Sequence, residues 1–382
     1  MSNLIYVSFM PWLTLYQSVT LGKITFWNYS REAAERIDDL RTRERLEKHF
    51  NSYKNIDGSL NPITICSYEG KTFYDGLNEQ EYNHLREAVT ALVFASFAEK
   101  IEWRIQEEQS HCNPPSINAF DLMFRQLSFD SDYYSHLSLS IKSFQMKESR
   151  SVFQKPLGTR EEADISTKWS KCLNSYLALK DSSKLKKRIS RSLEFFRLAQ
   201  AQDDLKDNSE VSAFLTRTVL MITAFESLFF PRWNETVSVN RKILEGDKKT
   251  EFFSNYIDER FKTDESRRSS RKFWNRKRTR ISRTEQLSLI AWWAYDFYKL
   301  RNSIVHGNKV DIEKLRFKEG LSFSQMDVAV LVFADCLEEI ILNKVMKSKE
   351  RDKLMFYTFF TYCGYDNWKK HHKVLGWLKP SN

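Results

Sequence analysis

The sequence predicts an α+β chain: a mixed α/β domain over residues 1–150, an all-α domain over 160–346, and a C-terminal tail over 347–382. Three observations carry this. Short β-branched and aromatic runs with strand character are confined to the first 150 residues. From Asp164 the apolar period turns to 3.6 and stays there. Between them, Ser149 to Asp164 is polar and holds Pro156 and Gly158, which marks a boundary.

In order, Leu4 to Phe9 and Val19 to Trp27 read as strands, and the charged run Arg31 to Phe50 as a helix. Pro62 to Tyr68 and Lys71 to Tyr74 read as short strands. Glu79 to Trp103 is a helix, with Leu85, Val89, Leu92, Val93, Phe97 and Ile101 at helical spacing. His136 to Lys142 alternates strictly, with Leu137, Leu139 and Ile141 on one face. After the boundary, Trp169–Lys180 and Leu185–Gln200 read as helices, then Val211–Phe230, which Pro231 ends. Glu285–His306 and Phe323–Met346 complete about five helices, with a basic insertion near 260–284 between the third and fourth. The tail is aromatic and basic (Phe356, Tyr357, Phe359, Trp368, Trp377), suited to packing on the body or on a partner.

Several classes of chemistry are excluded. The ten glycines come no closer than Gly70 and Gly76. A dinucleotide fingerprint needs glycines two apart, and a P-loop needs a pair five apart followed by Lys. The five cysteines lie at least 27 residues apart, so no C-x-x-C pair exists, and buried free thiols are expected. No H-E-x-x-H occurs, and His371-His372 reads as an exposed basic pair. No metal ligand set is therefore expected. The longest near-apolar run, Ala88 to Ala98, is too short for a bilayer span. The first basic residue is Lys23, so a secretory n-region is missing and the expected location is the cytoplasm.

Charge is concentrated. Of the formal net +10, nine units lie in one segment free of acids: Arg267, Arg268, Arg271, Lys272, Arg276, Lys277, Arg278, Arg280 and Arg283. Taking nine from +10 leaves +1 for the other 365 residues. A nearly neutral body with one basic segment fits a polyanion footprint, and Phe273 and Trp274 inside it can stack on bases. The competing reading is a solvated loop.

The segment richest in chemistry is Tyr298-Lys-Leu-Arg301-Asn302-Ser-Ile-Val-His306-Gly307. On a helical wheel Arg301 falls in the arc of Leu287, Ile290, Ala294, Phe297, Ile304 and Val305, while His306 lies about 140° away near Asn302. A guanidinium on a core face needs a carboxylate or a phosphate. Glu226, on the core side of the preceding apolar helix, is the expected carboxylate. A His followed by Gly at a helix end is equally how a helix is capped.

R-N-x-x-x-H-G after an aromatic helix resembles the signature of HEPN-domain ribonucleases. Ile222-Thr-Ala-Phe-Glu226-Ser-Leu-Phe is similar to the upstream helix of the Apea-like HEPN group. The resemblance covers about residues 165–346 and implies an α-helical HEPN-type bundle that dimerises, with two Arg/His sets facing one cleft. It implies metal-independent RNA cleavage without cofactors, and a role in toxin–antitoxin or anti-phage systems. RNA, a second copy of the chain, and an antitoxin or phage-derived trigger protein are the implied partners. The site it implies is Arg301, His306, Asn302 and Glu226, with residues 1–150 sensing or restraining. Two other classes stay open. One is a non-catalytic HEPN scaffold that binds nucleic acid or a partner protein. The other is an unrelated helical basic binder, such as a DNA-binding regulator.

Overall fold

The computed structural model describes residues 4–53, 63–106, 114–129, 134–140, 143–149, 161–201, 210–229, 250, 253–258, 289–308, 310 and 325–343. The basic segment Arg267–Arg283, the tail 347–382, Cys112, Cys363 and the His371-His372 pair lie outside the described residues. The chain is mixed α+β, an antiparallel sheet followed by helices, and divides into two compact units, Met1–Asp204 and Leu205–Asn382.

Among the described residues the first unit has nine strands: β1 (Leu4–Met10), β2 (Leu13–Leu15), β3 (Val19–Leu21), β4 (Ile24–Asn28), β5 (Thr64–Tyr68), β6 (Met123–Ser128), β7 (Tyr134–Ser140), β8 (Ser143–Ser149) and β9 (Glu161–Ala163). Seven form an antiparallel sheet in the order β3-β4-β5-β1-β6-β7-β8, and β2 pairs with β9 in parallel. Cross-strand partners share a face. Phe9 opposes Ile65, which opposes Trp27, and the Phe9 ring meets His49, Phe50 and Tyr53 of the helical segment beneath. On the other face Phe124 meets Tyr82 at 4.9 Å.

The expected Val19–Trp27 strand is a hairpin. Leu21 opposes Ile24, and Gly22 takes φ +60 in the two-residue turn, a conformation that favours glycine. The expected Arg31–Phe50 helix is two helices, α1 (Tyr29–Arg36) and α2 (Leu40–Phe50). Ile37 is buried in extended conformation, and Asp39 restarts the helix by accepting from the Arg41 and Thr42 amides at 3.2 and 3.1 Å. Hydrogen bonds from Thr42 and Tyr74 hold the Asp39 carboxyl down at about 2. Lys71–Tyr74 is a turn rather than a strand: Asp75 accepts from the Thr72 amide and hydroxyl at 2.8 and 2.7 Å.

Helix α3 (Glu79–Gln106) explains where the first unit ends. Every residue from Ala91 to Ala98 is buried. A helix buried all round needs cover on both sides. The sheet supplies one side. The other comes from α4 (Thr167–Leu177) and α5 (Lys184–Ala201), whose Trp169 and Phe196 each meet Phe94 at 5.2 Å. Asn174 of α4 also clamps the β3–β4 hairpin, accepting from the Gly22 amide at 2.7 Å and donating to the Thr20 carbonyl at 2.9 Å. The boundary therefore falls after Asp204 and not between 150 and 160. The two helices expected to open the all-α domain close the sheet domain instead.

The second unit contains α6 (Glu210–Phe229), a short helical stretch at 253–258, α7 (Leu289–Val305) and α8 (Gln325–Leu342). Phe225 of α6 is the hub, meeting Phe253 and Phe333 at 5.3 Å each. Ile290, Ala294 and Phe297 of α7 are buried as the wheel expects. Its last turn leaves the core, with Ile304 half-buried and Val305 52% exposed. Cys66, Cys172 and Cys336 are buried and in no disulfide. Among the described residues no helix is long and apolar enough to cross a membrane.

Candidate functional site

Helix α7 places Tyr298, Arg301 and Asn302 at spacings of three and four, so they share one face. Helix α6 brings Glu226 to that face. Tyr298 is fully buried and donates its hydroxyl proton to Glu226 Oε1 at 2.5 Å. Burial first, then the Glu226 charge, pushes the phenol well above its ordinary range, so it remains a donor. Arg301 Nη2 lies 3.8 Å from Glu226 Oε2, with both side chains about a fifth exposed. Arg301 Nη1 donates to Asn302 Oδ1 at 3.2 Å, and the guanidinium sits 5.9 Å from the Tyr298 ring centroid. Asn302 Nδ2 reaches Thr250 Oγ1 at 3.3 Å.

Magnitudes rank these contacts. A partly exposed ion pair at that distance contributes at most about 1 kcal/mol. A buried phenol donating to a carboxylate contributes about 1.5–3 kcal/mol. Glu226 is thus held chiefly by Tyr298, which the wheel does not single out, and only loosely by Arg301. The guanidinium remains under-neutralised: its Nε is buried with no hydrogen-bond partner among the described residues. In a double-mutant cycle read by urea unfolding, Glu226→Gln should couple more strongly to Tyr298→Phe than to Arg301→Met. The reverse order would make the ion pair the dominant contact.

His306 stands apart. Its side chain is exposed and bonds none of these residues. Its backbone closes the helix. Gly307 takes φ +69 and donates to the Ile304 carbonyl at 3.1 Å, while Asn308 donates to the Ser303 carbonyl at 2.9 Å. That pair of bonds is a Schellman cap, with Gly307 in the left-handed position. The His-Gly end is therefore a cap in fact, and the cap aims the imidazole at solvent beyond the last turn. Of the four residues expected at the site, Glu226, Arg301 and Asn302 come together, and His306 projects from the adjoining helix end. The spacing of three before Arg301 was the available signal for Tyr298; Thr250 has none in the sequence.

Among the described residues no group of three or more His, Cys, Asp or Glu side chains is placed to hold a metal ion. No family model matches the chain, and no curated protein or solved structure matches it.

Proposed function

We propose that this chain is a metal-independent, HEPN-type endoribonuclease acting as a cytoplasmic homodimer, in a toxin–antitoxin or anti-phage role. One observation carries the reading: a half-buried guanidinium with an unmatched donor adjoins a helix end that presents a free imidazole. Arg301 is suited to a phosphate, and His306 to proton transfer near neutral pH.

In the proposed step His306 takes the proton of a ribose 2′-OH. The 2′-oxygen bonds to phosphorus, the bond from phosphorus to the 5′-oxygen breaks, and the leaving oxygen takes a proton from solvent water. The products are a 2′,3′-cyclic phosphate and a 5′-OH. Arg301 stabilises the charge that develops on the phosphoryl oxygens, while Tyr298 and Glu226 orient Arg301 from behind. Exposed Val305 beside His306 suits a two-fold contact in which each copy completes the other's site. The basic segment from Arg267 to Arg283 is assigned to RNA, and an antitoxin or phage-derived trigger protein to the regulation.

Purified protein incubated with total RNA in EDTA should yield cyclic-phosphate ends and leave DNA uncut. Replacing Arg276, Lys277 and Arg278 with Ala should flatten the log–log salt dependence of RNA binding by about two units. Intact RNA would favour the second reading, a non-catalytic HEPN scaffold binding nucleic acid or a partner protein. The Schellman cap favours that reading specifically, because it gives the His-Gly pair a structural role.

A further inference from the structure

β1 and β5 hold each other only at Phe9↔Ile65 and Met10↔Thr64. β1 stays paired with β6 from Leu4 to Phe9, and β5 with β4 along its whole length. The two neighbours of the sheet centre thus part company. Where they part lies a cleft of about 550 Å³, lined by Tyr6–Ser8 of one strand and Cys66–Tyr68 of the other. The loop after β5 lines it too, and the Tyr6 amide, beyond the last β1–β5 pair, donates to the Phe73 carbonyl at 2.7 Å. The size is that of a small-molecule pocket, about 300–1,000 Å³.

The walls carry rings and charges. Tyr6, Trp27, Tyr74, Tyr82 and Phe124 all line the cleft. Two of its acids are already engaged. Asp39 accepts from the Arg41 and Thr42 amides and the Thr42 and Tyr74 hydroxyls, and Asp75 accepts twice from Thr72. Asp38, the third, is exposed to water. Two of the cations are matched, Lys71 by Glu81 at 3.1 Å and Arg36 by Glu32 at 2.7 Å.

Arg125 is different. Its Nη1 reaches the neutral Phe124 carbonyl at 2.9 Å, and its Nη2 only the Met123 sulfur at 3.6 Å. Its Nε is buried with no hydrogen-bond partner, and no carboxylate pairs with it among the described residues. A guanidinium stays charged at any physiological pH, and a planar fork of donors matches a phosphate or carboxylate. Flat aromatic walls take a flat ring.

We propose that this cleft binds a small planar organic anion, its ring among the aromatic side chains and its phosphate or carboxylate on Arg125. The site is independent of the ribonuclease reading, and its test reads binding rather than cleavage.

Titration calorimetry on the full chain uses adenosine, guanosine and uridine monophosphates, and salicylate as the carboxylate source. The corresponding nucleosides and salicylamide are the uncharged controls. At least one anion should bind with a Kd of about 1 mM or tighter, at least about tenfold tighter than its uncharged control. Arg125→Met should erase that preference while leaving the control's affinity unchanged, and Arg125→Lys should keep part of it. Binding by salicylate alone would assign the carboxylate source of the same chemistry. The indole N–H signal of Trp27, identified by Trp27→Phe, should move in the wild-type NMR spectrum when the anion is added. That readout stands even if the Arg125→Met protein does not fold. The proposal is overturned if no anion binds, if the charge adds nothing over the control, or if the Trp27 signal stays still while an anion binds.

Discussion

His306→Ala should lower RNA cleavage by about 10²–10⁴-fold, the usual contribution of a positioned acid or base. The same substitution should leave unfolding within about 0.5 kcal/mol of wild type, because the imidazole is exposed and bonded to no described residue. The combination of lost rate and kept stability separates a reacting group from a structural one. Arg301→Ala should lose about 10²–10³ in rate, as removal of a charge-stabilising donor does. Unlike His306→Ala, it should also cost stability, since the half-buried stem packs near Tyr298 and faces Glu226. Gly307→Ala is the control for the helix end. At φ +69 a side chain is strained, so the cap should weaken by about 1 kcal/mol although no reacting group has been touched. RNA cut at the wild-type rate by His306→Ala protein, in a quantitative gel assay, would remove His306 as a reacting group and leave the cap as the whole role of the His-Gly pair.

Combining Glu87→Gln with Asp181→Asn should destabilise the full chain by about 3 kcal/mol, the cost of stranding a buried charge. Lys186 is the reason. Its side chain is 4% exposed, and its ammonium lies 2.6 Å from Asp181 and 3.2 Å from Glu87. Those carboxylates come from the α4–α5 turn and from α3, so one cation ties three pieces of the first unit. For a unit of this size the melting temperature should fall by about 6–12 °C in calorimetry. Lys186→Met should cost less. Asp181 and Glu87 are 59% and 29% exposed and can rehydrate once the cation is gone. A fall of the double variant no larger than that of Lys186→Met would mean the ammonium finds water.

The pH dependence follows in sign. Burial works against the charged lysine, but the Asp181 hydrogen bond and the Glu87 charge outweigh it and raise its pKa above 10.5. That contribution is complete below the unfolded value and fades as pH rises through the folded one. Asp181 is lowered below 3.8, first by its hydrogen bond to Lys186. Its share is present above the unfolded value and lost as pH falls through the folded one. Stability from this cluster should therefore be flat across neutral pH, with the double variant losing the flanks at both ends.

The helices were legible because each announces itself locally. α3 through α8 start and stop within a few residues of their apolar periods, and Gly307 marked the end of α7 as a left-handed cap. Strands β1, β5 and β7 were legible for the same reason: their alternation or β-branched content lies within a few residues. The absence of closely spaced glycines removed whole classes of phosphate-binding loops with no structure at all. The Arg301–Glu226 proximity was also accessible, since two charges on core-side faces of two apolar helices must find each other or something else.

What only the tertiary structure decided is non-local. β6, β8 and β9 (MFRQLS, SFQMKES and EEA) carry too little alternation to be seen, and become strands because a neighbour offers a hydrogen-bonding edge. The break between α1 and α2 depends on a buried Ile37 that no charge pattern reveals. The domain boundary shifted because an amphipathic stripe says that a helix will be covered, not by what. α4 and α5 went to the far side of α3, whose fully buried middle required a second layer. Tyr298 outranked Arg301 as the partner of Glu226 because rank at a contact depends on distance and desolvation, which a wheel angle does not contain. Periodicity is a property of a few consecutive residues and is written in their order. Pairing across 50 or 150 residues depends on which surfaces meet, and that is settled only when the chain has folded.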